Sequence, residues 1–322
     1  MTRASTGNKA AVGPTPFMTR LRPATETAEA ATKMQRQPDP QQQDQRLTGA
    51  ERARGPLIER LRVGTFLAPS ILPVYRAVSD ELGRRLGIET ALVVEPDTVA
   101  YADDADEVCF VCSLPYVDYE RRGVSPAVPV AAPVLEGERY GGAPVYFSDV
   151  IVARDSPLGS FLDLRGRSWA HTAALSQSGY GVVRYHLVQL GETQGFFGRT
   201  VESPSHAASM RMVAAHEVDA SAIDSQVLAV ALRDDPALTR SLRVVEALGP
   251  STIQPVTASR RVSAGRRAAI QRALTTMHED PAVRERLALG MVERFVPVGP
   301  ESYDDIRAML AACEAAGFMQ LR

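Results

Sequence analysis

Ser176-Gln-Ser-Gly-Tyr-Gly181 follows the strand-like Ser168-Trp-Ala-His171 and precedes Val182, Val183, Tyr185, Leu187 and Leu190, apolar residues at helical spacing. The order is strand, polar loop, helix. Such a loop offers free backbone N–H groups, the positive end of a helix dipole and two serine hydroxyls to one incoming anion. Ser178 is equally well read as the N-cap of the helix that follows.

The same alternation extends to both sides. Residues 61–66 predict a strand, and Ile71, Leu72, Tyr75, Val78, Leu82 and Leu86 recur at three- and four-residue steps, a helix stopped by Gly87. Further strands are expected over 90–94, 108–112, 128–131 and the long extended stretch 144–154, and strand–helix units continue through Ser168, Val201, Ala220 and Leu242. Residues 264–289 and 301–317 are helical, with Pro281 opening a new helix after Asp280. Strands alternating with helices build α/β layers around largely parallel sheets, here in two lobes.

Composition narrows the function classes. With 322 residues, 45% apolar and 23% charged, the chain has room for two ordinary domains. A formal charge of −2 lacks the basic excess of a nucleic-acid binder. No apolar run approaches the roughly 18 to 20 residues that cross a bilayer, so an integral membrane protein is not expected. The cysteines Cys109, Cys112 and Cys313 imply no disulfide framework. Cys109-Phe-Val-Cys112 lies in an apolar run read as one strand, whose period-two alternation would turn two inert, buried thiols to opposite faces. Residues 1–56 hold prolines at 14, 16, 23, 38, 40 and 56, the patch Gln41-Gln-Gln-Asp-Gln45 and a single aromatic, Phe17. They read as a disordered tail. No window in them has a basic start followed by about 7 to 15 apolar residues, so the chain as written shows no export leader and reads as cytoplasmic.

In sheets of this kind, ligands sit beyond the carboxyl ends of the strands. The loops there carry Thr65 and Phe66, Ser113 and Tyr116, Ser176 to Gly179, Ser203 to His206, and Asp224 with Ser225. Each has a plainer use, since Ser205 and Asp224 are placed to cap helices over 210–215 and 227–232. Ser176, His206 and Asp224 have the residue types of a hydrolase triad, but no Gly-x-Ser-x-Gly elbow accompanies them and chain order alone defines no triad. The histidines at 171, 186, 206, 216 and 278 match no metal-binding spacing, so neither metal nor cofactor is expected.

Six strings fall in one order: Phe110-Val-Cys-Ser-Leu-Pro-Tyr-Val117; Val150-Ile-Val-Ala-Arg-Asp-Ser-Pro157 with Asp163-Leu-Arg-Gly166; Ser176-Gln-Ser-Gly-Tyr180; Ser205-His-Ala-Ala-Ser209; Val218-Asp-Ala-Ser-Ala-Ile-Asp-Ser225; and Arg294-Phe-Val-Pro-Val298. Together, over residues 61–307, they resemble the phosphate/phosphite/phosphonate-binding proteins of ABC importers, which are type 2 periplasmic binding proteins. The resemblance implies two α/β lobes, each a mostly parallel sheet flanked by helices. Two crossover strands, near 146–152 and 249–256, would join them. The first lobe would comprise 57–148 with 251–322, and the second 149–250.

The resemblance places the oxyanion grip at Ser176, Gln177, Ser178 and Gly179, with His206 and Asp224 beside it. Phe66, Ser113 and Tyr116 would face them from the first lobe, and Tyr146 would lie at the hinge. Gln177 stands where many relatives carry a small hydroxyl residue, and 96–107 is short and acidic where they often have a full helix. The family role is capture of a small oxyanion for an ABC permease outside the cytoplasm, without catalysis. An intracellular ligand sensor or a thiamine-pyrimidine biosynthetic protein on the same fold is the alternative that the leaderless start favours.

Overall fold

A computed structural model describes residues 60–95 and 98–321; the tail expected over 1–56 lies outside them. The first lobe begins with β1 (Arg60–Thr65), a 3₁₀ turn (Pro69–Ile71), α1 (Leu72–Leu86), β2 (Glu89–Val94), α2 (Val99–Ala102), β3 (Val108–Phe110), α3 (Ser113–Arg121) and β4 (Ala127–Leu135). The second consists of β5 (Val145–Ala153), β6 (Ser168–His171), a π-helical turn (Gln177–Gly181), α4 (Val182–Gln189), β7 (Arg199–Glu202), α5 (His206–Ala214), β8 (Ala220–Asp224), α6 (Ser225–Asp234), α7 (Pro236–Ser241) and β9 (Leu242–Thr252). The chain then completes the first with β10 (Val256–Ser259), α8 (Ala264–Thr276), α9 (Pro281–Ala288) and β11 (Val292–Pro297), and ends in α10 (Asp304–Ala315).

Element ends follow local chemistry. Gly87 closes α1 in the left-handed conformation, φ +65°, returning its N–H to the Gly83 carbonyl. Asp235 and Asp280 each cap a helix that starts on proline, Pro236 and Pro281, where the missing N–H costs nothing. Among its described residues, the short acidic stretch after β2 holds only the single-turn helix α2.

Both sheets follow one plan. The first runs β2-β1-β3-β10-β4-β11 and the second β7-β6-β8-β5-β9. In each, three parallel strands, β2-β1-β3 or β7-β6-β8, are followed by an antiparallel strand that enters from the other lobe, β10 or β5. Strand–helix alternation builds the parallel part; the crossover strands make each sheet mixed. Leu61, Val63, Val78, Leu82, Ile270 and Leu274 are buried in the core of the first lobe. The second is filled by aromatics, with Trp169 stacked on Phe197 at 4.6 Å and Phe161 on Phe196 at 5.3 Å.

The two connections between lobes run side by side. Val145 and Tyr146 pair with Thr252 and Ser251, and the Ile253 N–H donates to the Pro144 carbonyl at 3.0 Å. Helix α10 packs behind them, its Asp305 accepting from the Thr252 N–H at 2.7 Å, and it touches both α3 and α4.

Candidate functional site

A cavity of about 480 Å³ lies where the carboxyl ends of the two sets of parallel strands face each other. The first lobe lines it with the β1 loop (Phe66, Leu67, Ala68, Pro69), Ile71 and Tyr75 at the start of α1, Thr98, and Cys112 with Pro115 at the start of α3. The second contributes Thr172 to Ser176 and Ser178, then Pro204 to His206, then Asp224, Gln226 and Val227. Gln254 reaches in from the segment leading to β10.

Ser176 caps the loop after β6, accepting from the Gly179 N–H at 3.1 Å. The cap is therefore Ser176, not Ser178. A π-type bond from the Gly181 N–H to the Ser176 carbonyl, 2.8 Å, widens the turn and swings successive side chains to different sides. Ser178 turns to the cavity and shares a 3.2 Å hydrogen bond with Nε2 of His206. Gln177 turns away. Its amide donates to Ser251 Oγ and Met309 Sδ, its own backbone N–H reaches Cys112 Sγ across the cleft at 3.4 Å, and its side chain adds no bulk to the cavity wall. Gly179 is required by close packing, since a Cβ there would sit 2.3 Å from Thr172 Oγ1.

Beside this turn lies a group of polar side chains, Thr172, Ser113, Tyr146 and His206, of which the buried atoms Thr172 Oγ1 and His206 Nδ1 have no hydrogen-bond partner in the protein. Tyr146 lies beside the hydroxyls of Ser113 and Ser178, and burial holds its phenol firmly protonated. His206 is the first residue of α5, where the helix dipole also disfavours an imidazolium, and burial pushes its pKa down to about 4. It is neutral at pH 7. The turn therefore presents neutral donors and no formal cation.

Asp224 ends β8 and caps α6. Its Oδ1 accepts from the N–H groups of Gln226 and Val227 at 2.8 and 3.2 Å, and its Oδ2 from Gln254 Nε2. Burial outweighs these donors and raises its pKa to about 6. Because the Asp224 oxygens face amides while His206 Nδ1 has no acceptor, Ser176, His206 and Asp224 do not assemble as a Ser–His–Asp relay.

Of the residues expected from sequence, Phe66, Ser176, Ser178, His206 and Asp224 line the cavity. Ser113 and Tyr146 lie buried beneath it, and Gly179 packs behind the turn. Tyr116 is not brought to it: its ring meets Tyr303 edge-on at 5.2 Å and its hydroxyl donates to Glu120. The 108–112 strand is corrected, since β3 stops at Phe110; Cys112 is the residue before α3 and lines the cavity half-buried, while Cys109 stays in the strand. Tyr75 and Gln254 were missed. Tyr75 sat in an apolar helix stripe that signals core, but Gln254 carried a usable sign, a lone polar side chain in the apolar run Ile253-Gln-Pro-Val256. Among the described residues no His/Cys/Asp/Glu group could hold a metal ion, and no helix is long and apolar enough to cross a membrane.

The sequence profile of a family described as ABC transporter, phosphonate, periplasmic substrate-binding protein matches residues 67–303. Among solved structures, the chain is similar to PA3383 of Pseudomonas aeruginosa, a binding protein component of an ABC phosphonate transporter. The TM-score is 0.70 at 17% identity, covering 81% of this chain and 89% of that one. It is likewise similar to PhnD1 of Prochlorococcus marinus, solved in complex with methylphosphonate, with TM-score 0.69, 18% identity and 80% and 98% coverage. The periplasmic aliphatic sulphonate binding protein SsuA of Escherichia coli follows with TM-score 0.59, 19% identity and 80% and 88% coverage. At such identities the likeness speaks to the fold. Comparison with curated protein sequences gives no match.

Proposed function

Because the chain belongs to the family of phosphonate periplasmic substrate-binding proteins of ABC transporters, we propose that it captures a phosphorus oxyanion between its lobes for delivery to an importer's permease. The observation that carries this is the Ser178–His206 pair, held at a helical turn beside the unpartnered buried hydroxyl of Thr172. Anions are bound at such turns by neutral donors and the helix dipole. Family membership favours transport over the sensor and thiamine-pyrimidine alternatives. With no acceptor on His206 Nδ1 to support proton transfer from a serine, the site is read as one of binding without chemistry.

Asp224 gives the site a preference among oxyanions. A carboxylate facing a bound anion is tolerable where the two share a proton, and a pKa of about 6 makes that proton available. A monoprotonated phosphonate, phosphite or phosphate brings one to share. Sulfate brings none at neutral pH. Calorimetry on the wild type and Asp224→Asn tests this: phosphonate should bind and sulfate should not, with the variant weaker for phosphonate and less selective. Equal affinities for both anions in the wild type, or no change on substitution, would leave Asp224 as a helix cap alone. A thermal-shift panel of phosphate, phosphite, methylphosphonate and methanesulfonate checks the ligand class, since a ligand about 100-fold above its dissociation constant adds about 2.7 kcal/mol of stability.

A further inference from the structure

The two walls of the cavity differ in chemistry. Hydroxyls and imidazole are concentrated on the second lobe, in Thr172, Ser176, Ser178, Ser205 and His206. Facing them, the first lobe presents Phe66, Leu67, Ala68, Pro69, Ile71 and Pro115. Its polar members are few: Thr98 is tied to the Tyr119 hydroxyl at 2.9 Å and the Gln254 amide to Asp224, leaving Tyr75 and the thiol of Cys112. The apolar wall is held in place, with Phe66 edge-on to the buried ring of Tyr101 at 5.9 Å and Ile71 only 2% exposed.

Charge is scarcer still. Among the described residues no lysine or arginine lines the cavity, and Asp224 is its sole carboxylate. Three of the roughly four acceptor positions of Asp224 are filled by protein donors, so it has little left for a ligand ammonium. The volume of about 480 Å³ falls in the range of pockets that enclose drug-sized ligands, far more than a one-carbon phosphonate fills.

We propose, building on the oxyanion reading above, that the ligand is a phosphonate bearing a bulky, uncharged, apolar substituent, an alkyl- or arylphosphonate rather than an aminophosphonate. The oxyanion lies on the second-lobe turn. The substituent lies on the wall from Phe66 to Ile71 and on Pro115. Burial of the substituent sets the affinity, and among the described residues no free carboxylate lines the cavity to pair with a charged amine.

Calorimetry with methyl-, propyl-, hexyl- and benzylphosphonate, 2-aminoethylphosphonate and inorganic phosphate tests this on the whole protein. Affinity should rise by up to about fourfold for each methylene buried. Propylphosphonate should bind at least about tenfold tighter than its near-isostere 2-aminoethylphosphonate, which would leave an ammonium unpaired. Leu67→Ser, at a half-buried wall position, should flatten the chain-length series. The inference is overturned, with the oxyanion reading intact, if methylphosphonate or phosphate matches the hexyl and benzyl compounds, or if the aminoethyl compound beats the propyl one. Failure of every phosphorus oxyanion to bind overturns both.

Discussion

Replacing Asp224 by asparagine should change how stability depends on pH more than it changes the fold. Asparagine is as good an N-cap, so one side-chain oxygen keeps the amides of Gln226 and Val227, and Gln254 needs only to turn its amide over to accept from the new NH₂. What disappears is a titration. In the wild type, burial raises the Asp224 pKa from 3.8 to about 6, so the folded protein holds this proton more tightly than the unfolded chain does. Its contribution to stability is complete below the unfolded pKa and is lost as pH rises through about 4 to 6. Two units at ~1.4 kcal/mol each make about 3 kcal/mol in full, of which about 2 kcal/mol falls between about pH 4.5 and 7.5. His206 works in the opposite direction, its pKa lowered to about 4, but burial alone causes that shift and it cancels between wild type and variant. Urea unfolding at both pH values, in buffer without phosphate, measures the difference. The variant should gain about 2 kcal/mol on the wild type as pH rises, about 0.7 M in midpoint for a slope near ~3 kcal/mol/M. A difference that stays constant with pH would refute the buried, proton-retaining carboxylate.

Three further outcomes are expected. Gly179→Ala drives a Cβ to 2.3 Å from Thr172 Oγ1 and 3.3 Å from the Thr172 nitrogen, so it should cost about 1 to 3 kcal/mol in thermal unfolding and weaken oxyanion binding at least about tenfold; full affinity would remove this turn from the site. Imidazole NMR should show His206 neutral down to about pH 5, and a midpoint near the ordinary value of about 6.5 would contradict its burial. Burial raises the pKa of all three thiols, yet Cys112 alone lines the cavity, so iodoacetamide should modify one cysteine slowly in the native protein and more slowly with saturating methylphosphonate. Modification of Cys109, or no protection by ligand, would count against this placement.

Strand and helix alternation, read from apolar spacing, suffices to anticipate the two α/β lobes, and the loops after β1, β6, β7 and β8 were found because ligands gather at carboxyl ends of strands. Phase was harder to read. On α3, Pro115 faces the cavity and Tyr116 lies one residue, about 100°, further round, a rotation that a single turn of sequence does not specify. At Gln177 the π-type bond adds a residue to the turn, so neighbours assigned to one face by regular helix geometry diverge, Ser178 to the cavity and Gln177 to Met309. Cys112 looked like strand because Val111 and Cys112 are as apolar as β3 itself; where β3 stops is set by pairing with β10, which ends at Phe110 opposite Val256. Tyr75 combines both problems, packing its ring on Phe110 at 4.6 Å while its edge belongs to the cavity.

The paired connections between the lobes set the mechanics of any opening. A ribbon tied across its width by the Ile253–Pro144 bond flexes like the spine of a book and resists shearing, and α10 lies along that spine with contacts to both covers. The pages can part on the far side only. Whatever is held between them leaves by the edge through which it arrived.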